Sequence, residues 1–237
     1  MKRTTSILIL LCAAIFASAQ TQSLGVQLGF SEPILRDNST SHNKKLSNKT
    51  ITNGVKVGLV YDATLIKGFG LNLSLNYLAS FYNGQWVKNT YATAIQTKTN
   101  YTIHTIELPI EWQYKFRIAT DTWLIAHTGP VLQYNIAFNQ RISHRDPIKG
   151  EWTEKSSHYD TNLDSDAGDT TPDFSHFNIQ WGIGAGFQYK NYFIRGGYNF
   201  GIYNHFRDHY NETGGYSNRG RFDEWNIRLG IYFLNFE

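Results

Sequence analysis

Apolar and polar residues alternate in eight separate stretches of the chain. In residues 23–30, Leu24, Val26, Leu28 and Phe30 share one parity, while Ser23, Gly25, Gln27 and Gly29 share the other. The same period recurs at about 54–62, 69–81, 101–116, 122–138, 174–189, 192–203 and 222–236. Successive side chains of a strand point to opposite faces, so this period predicts eight β-strands, each with one apolar and one polar side.

Both a two-sheet sandwich and a closed barrel are built from such strands, and the connections choose between them. Long segments at roughly 31–53, 82–100, 139–173 and 204–221 alternate with short ones near 64–68, 117–121 and 190–191. Long loops at one end and tight turns at the other mark a bacterial membrane barrel. The polar parity agrees. Lys56, Asp62, Glu107, Glu111, Lys115, Arg195, Glu224 and Arg228 all lie opposite the apolar stripe. A sandwich whose apolar faces meet would expose that parity to water, whereas a barrel turns it into a polar lumen. The expected fold is therefore all-β, an eight-stranded antiparallel up-and-down transmembrane β-barrel. An even strand number leaves both termini at the short-turn end, which is expected to be periplasmic.

Aromatic residues near the strand ends fit the same frame. Tyr61, Phe69, Tyr114, Phe116, Trp123, Tyr189 and Tyr192 are expected at a lower rim, and Phe81, Tyr134, Phe138, Tyr203, Phe222 and Trp225 at an upper one. Rings at those heights sit among lipid headgroups.

The first residues add a compartment. Lys2 and Arg3 precede a short apolar run from Ile7 to Phe16, and Ala17-Ser18-Ala19 supplies small residues before Gln20. This predicts a cleaved signal peptide, residues 1–19, ahead of a barrel domain at 20–237. The apolar run is shorter than the roughly 20 residues of a membrane-spanning helix. The single cysteine, Cys12, falls in that leader, so the mature chain is expected to have neither a disulfide nor a cysteine-ligated metal. Lysine and arginine number 22 against 19 acidic residues. Losing Lys2 and Arg3 takes the formal charge of +3 to about +1, which offers nucleic acid no electrostatic footprint.

The stretch Ile106-Glu107-Leu108-Pro109-Ile110-Glu111-Trp112-Gln113-Tyr114 resembles the E-x-P strand of PorT-like outer-membrane β-barrel proteins of Bacteroidetes. Gly129-Pro130, the run 182–187 and the amphipathic closing strand follow in that family's order. The resemblance spans essentially the whole mature chain. It implies an outer-membrane location and, through the name-giving member, a connection with protein secretion. Phe236, near the end of the chain, resembles the terminal aromatic read by the barrel-assembly machinery.

Candidate chemistry centres on the lumen. Buried charges need partners, because an unpaired one costs several kcal/mol. Glu107 and Glu111 are expected to pair with Arg195, Arg228 or Lys56, with Glu224 in the same network. Such a network plugs the lumen; a gated polar conduit is the alternative. The histidines are scattered. A lipid-modifying hydrolase would need a serine within reach of a histidine, and Ser175-His176 and Ser143-His144 are the nearest candidates. Adjacent strand residues point to opposite faces, which argues against either pair. Asp160, Asp164, Asp166, Asp169 and Asp173, with no closing glutamate of an EF-hand, read first as a solvated acidic loop, with weak Ca²⁺ binding as the alternative. No cofactor and no resident metal is expected. The expected partners are outer-membrane lipids, the assembly machinery, and envelope or secretion proteins. A narrow channel or carrier for small solutes is the second functional reading, and a lipid A hydrolase the third.

Overall fold

The computed structural model describes residues 20–37, 40–41, 44–45, 48–88, 95–146, 149–157, 175–204 and 220–236. The predicted leader, the aspartate-rich segment 160–173, and His42, His158, His205 and His209 lie outside these residues.

Eight strands form the wall: β1 (Thr21–Asp37), β2 (Asn53–Ile66), β3 (Phe69–Asn83), β4 (Gln96–Ala119), β5 (Thr122–Asp146), β6 (Phe177–Tyr189), β7 (Tyr192–Gly201) and β8 (Gly220–Phe236). Each pairs antiparallel with the next in sequence. β8 pairs with β1 from Gln22↔Phe236 to Asp37↔Gly220, which closes the ring. Closure leaves the wall without an edge, so its backbone groups are satisfied internally, as crossing a bilayer demands.

The apolar parity faces out. Leu28, Leu59, Ile183 and Leu229 are all more than half exposed. An apolar belt around the whole molecule would far exceed what a water-soluble monomer tolerates. On β4 the belt runs from Ile106 to Phe116; at about 3.3 Å per residue and a tilt near 40° this covers about 25 Å, the height of a barrel's lipid-facing band.

The three tight turns follow from their residues. Lys67 and Gly68 connect β2 to β3 with φ of 47° and 89°, as a type I′ hairpin requires of both central positions. Asp121 and Lys190 take φ of 57° and 52° in the other two turns.

At the opposite end the strands run further than the alternation shows. β4 begins at Gln96 and β5 reaches Asp146, and Gly150–Ser157 folds back antiparallel on β5. Val87–Lys88 pairs with β4 from the other side. Much of the expected loops 82–100 and 139–173 is thus a sheet rising from the barrel. Polar residues occupy both parities there and apolar ones such as Ile142 and Trp152 are too sparse to alternate, so the pattern carries no signal.

Three aromatic placements are corrected. Phe138 and Phe222 are not at the lipid rim; they are buried inside with Ile103. The β4–β5 register shifts where His104↔Ala137 follows Thr105↔Asn135. The extra residue, Ile136, is a bulge that reverses the parity above it and turns Phe138 inward. Phe222 shares parity with inward Glu224. Trp123 has the parity of buried Ile125 and lines the lower mouth rather than facing lipid.

Candidate functional site: the lumen

The inward parity of β1–β8 brings long polar side chains to one axis, and the structure joins them in three tiers. In the upper tier, Lys56 of β2 stands between two carboxylates, with Nζ 2.6 Å from Glu107 Oε2 and 2.5 Å from Glu224 Oε1. Gln133 donates to Glu107 at 2.7 Å, and Asn178 donates to Gln133 at 2.7 Å. Strands β2, β4, β5, β6 and β8 are thereby tied across the lumen.

The middle tier centres on Glu111. Arg228 donates to its Oε1 at 2.7 Å, Arg195 Nη1 lies 3.7 Å from Oε2, and His127 Nδ1 lies 3.4 Å from Oε1. The His127 ring packs on Gly184 of β6, where a side chain would collide with it. In the lower tier Asp62 collects five donors: Lys115 at 2.6 Å, Gln113 at 2.8 Å, Arg195 at 2.9 Å, the Tyr232 hydroxyl at 3.1 Å and Asn72 at 3.3 Å. Arg195 also donates to Gln113 at 2.8 Å. One guanidinium thus links the middle and lower tiers. Four carboxylates (Asp62, Glu107, Glu111, Glu224) meet four cations (Lys56, Lys115, Arg195, Arg228), so charge balances across these three tiers. That balance matters because a buried ion lacking its counterion is strongly destabilising.

Apolar groups close the two ends. Above the upper tier sit Ile103, Phe138 and Phe222, with Leu35 and Tyr101 packed against them. Between this cap and Glu224 there is a space of about 20 Å³, lined also by Pro33, Thr105 and Gln180. That is room for about one water molecule. Lower down, Val60, Phe193 and Tyr232 pack together, with the Phe193 and Tyr232 rings 4.7 Å apart. Below them the short-turn end opens into a vestibule of about 1010 Å³, lined by Lys67, Arg117, Trp123 and Lys190 among others, with Lys115 at its floor.

All six residues named from sequence as the network (Lys56, Glu107, Glu111, Arg195, Glu224, Arg228) point inward and are buried. The sequence reading did not assign the apolar caps or Tyr232. Tyr232 continues the inward parity of Arg228 and Gly230, and that parity was the available signal. Asp223 was also missed. It has outward parity, yet it is buried at the upper rim, where Arg36 and Tyr198 donate to it and the Gly201 amide does so at 2.9 Å.

The serine–histidine candidates are engaged elsewhere. The Ser175 hydroxyl accepts from the Phe177 amide, while His176 Nδ1 lies 2.7 Å from the Asn135 carbonyl oxygen. Ser143 meets Thr153, and His144 stacks on Trp152. Among the described residues no cluster of three or more His, Cys, Asp or Glu side chains could hold a metal ion.

Comparison with known proteins gives a family and a set of distant structures. A family model described as "Outer membrane protein beta-barrel domain" matches residues 18–207. Among solved structures, the chain is similar to Ail, the attachment invasion locus protein of Yersinia pestis, at 12% identity, covering 91% of this chain and 98% of that one, with a TM-score of 0.33. It is similar to Neisserial surface protein A at 13% identity, 88% and 97% coverage and a TM-score of 0.37. The N-terminal β-barrel domain of Pseudomonas aeruginosa OprF matches at 10% identity, 86% and 97% coverage and a TM-score of 0.25. Likenesses this distant carry no argument about role. No curated protein sequence matches the chain.

Proposed function

The chain belongs to the outer membrane protein beta-barrel domain family, and from that premise we propose a non-enzymatic wall protein with a plugged lumen. It presents its long connections to the outside, keeps both termini periplasmic, and docks other envelope components. The carrying observation is the lumen itself: a charge-balanced network spanning the axis, capped above by Ile103, Phe138 and Phe222. Opening a conduit would require separating buried ions, each carrying a desolvation penalty of several kcal/mol.

The resemblance of residues 106–114 to PorT-like proteins supports an accessory role in protein secretion within this reading, and Bacteroidetes as the source. The assembly machinery would be a transient partner and membrane lipids a permanent one. Planar-bilayer recording on the purified barrel tests the plug. The expected trace has no large stable steps; regular single-channel steps would favour the channel reading instead. Crosslinked pull-down from native outer membranes tests the docking role, where recovery of secretion or envelope proteins is the expected result.

A further inference from the structure

The sheet that rises above the barrel gathers its cations on one face. Directly paired residues of an antiparallel ladder share a face, as do residues two apart. On β4 the even positions continue the lipid-facing parity of Ile106 and Leu108 upward to Lys98 and Gln96. Arg141 of β5 pairs with Asn100, Arg145 with Gln96, and Ser143 with Lys98. Lys155 pairs with Arg141, and Lys88 with Gln96. All five cations of the paired part of this sheet (Lys88, Lys98, Arg141, Arg145, Lys155) therefore lie on the face that continues the lipid-facing side. The face turned to the barrel axis carries none of them and holds Ile142, His144 and Trp152.

Of the five, Arg145 is satisfied, being 2.5 Å from Glu151 and stacked over Trp86 at 4.7 Å. Among the described residues the other four enter no ion pair. Arg141 and Lys155 stand directly opposite each other, and like charges so placed destabilise a sheet. An anion from outside the chain would compensate this arrangement. Its height identifies the source. Arg141 stands four residues above Ala137, where the apolar belt ends, so it lies about 10 Å higher at ordinary strand rise and tilt. A laterally directed cationic face at that height meets the headgroups of the surrounding outer leaflet before any soluble molecule.

The geometry points to this face as a docking surface for phosphate-bearing headgroups of the outer-leaflet glycolipid, held by Lys88, Lys98, Arg141 and Lys155. Guanidinium and ammonium groups bind phosphate through charge-assisted hydrogen bonds. The inference rests on the orientation proposed above, with this end outside.

The test uses the full-length mature barrel in nanodiscs of zwitterionic phospholipid doped with phosphorylated or dephosphorylated lipid A, and reads bound lipid A by native mass spectrometry. The wild type is expected to retain the phosphorylated form and release it as salt rises. Replacing the four cations (Lys88→Gln, Lys98→Gln, Arg141→Gln, Lys155→Gln) is expected to cut retention about tenfold or more. A lower-rim control (Lys67→Gln, Arg117→Gln, Lys190→Gln) is expected to leave it unchanged. Both variants are first checked for heat-modifiable gel mobility; should the fourfold variant fail to fold, Lys98→Gln with Lys155→Gln takes its place. Equal retention of the two lipid forms, an unaffected upper-face variant, or displacement by millimolar inorganic phosphate would each overturn the proposal. Lys149→Cys, in the turn that precedes Gly150 rather than on the cationic face, probed on intact cells with an impermeant maleimide, tests orientation separately. Absent labelling there would defeat the orientation, while labelling without lipid A retention would defeat only the docking surface.

Discussion

At the residue scale, energetic weight lies with groups that serve two partners. Arg195 holds Asp62 and reaches Glu111 from a fully buried position. Arg195→Ala leaves both carboxylates short of a cation and is expected to lower unfolding stability by about 3–5 kcal/mol, read by urea titration in detergent. Arg221 also reaches Asp223, at 3.5 Å, but from a half-exposed position. Arg221→Ala is expected to change stability by less than about 1 kcal/mol in the same assay. Lys56 offers a sharper test, because it separates Glu107 from Glu224. Lys56→Met brings two uncompensated carboxylates together and is expected to be strongly destabilising. Adding Glu107→Gln and Glu224→Gln removes both charges and is expected to restore most of the loss. If the triple variant is as weak as the single one, charge repulsion is not the cause.

At the element scale, the bulge at Ile136 does more than bend β5. It places Phe138 against Ile103 and Phe222 over the network, where it is only 2% exposed. Phe138→Ala is expected to cost about 3–5 kcal/mol as a buried-cavity substitution. Leu75→Ala, on the lipid face, leaves no internal cavity and is expected to cost clearly less; urea midpoints of the two variants in one detergent make the comparison. The tight turns are legible for a local reason. Lys67-Gly68 sits between two strongly alternating runs, and glycine takes a positive φ without the steric penalty of other residues. The upper sheet is illegible for the converse reason. With polar surroundings on both faces, its residues need no continuous apolar parity, and pairing is set by the neighbouring strand.

At the scale of the whole molecule, closure is the decisive contact. β1 and β8 meet although they stand at opposite ends of the chain, and without β8 both β7 and β1 would show open edges to lipid. A chain ended before Gly220 is expected to lose the compact unheated band on gels and to fail to insert. Retention of heat-modifiable mobility by that truncation would show that the ring is held by something other than the β1–β8 seam.

The alternation alone determined the strands, their two faces and the inward position of all six network residues. It could do so because a strand has a period of two, so each residue's side follows from its neighbour's. It stops being reliable wherever that count is interrupted, and Phe138 above the Ile136 bulge is the case in point. Which inward residues meet was decided only by the ring. Lys56 and Glu224 are 168 positions apart in sequence and come within 2.5 Å because β2 and β8 face one lumen across β1. Parity specifies a side of the wall, whereas partner choice depends on strand tilt, register and closure, which are properties of the assembled barrel.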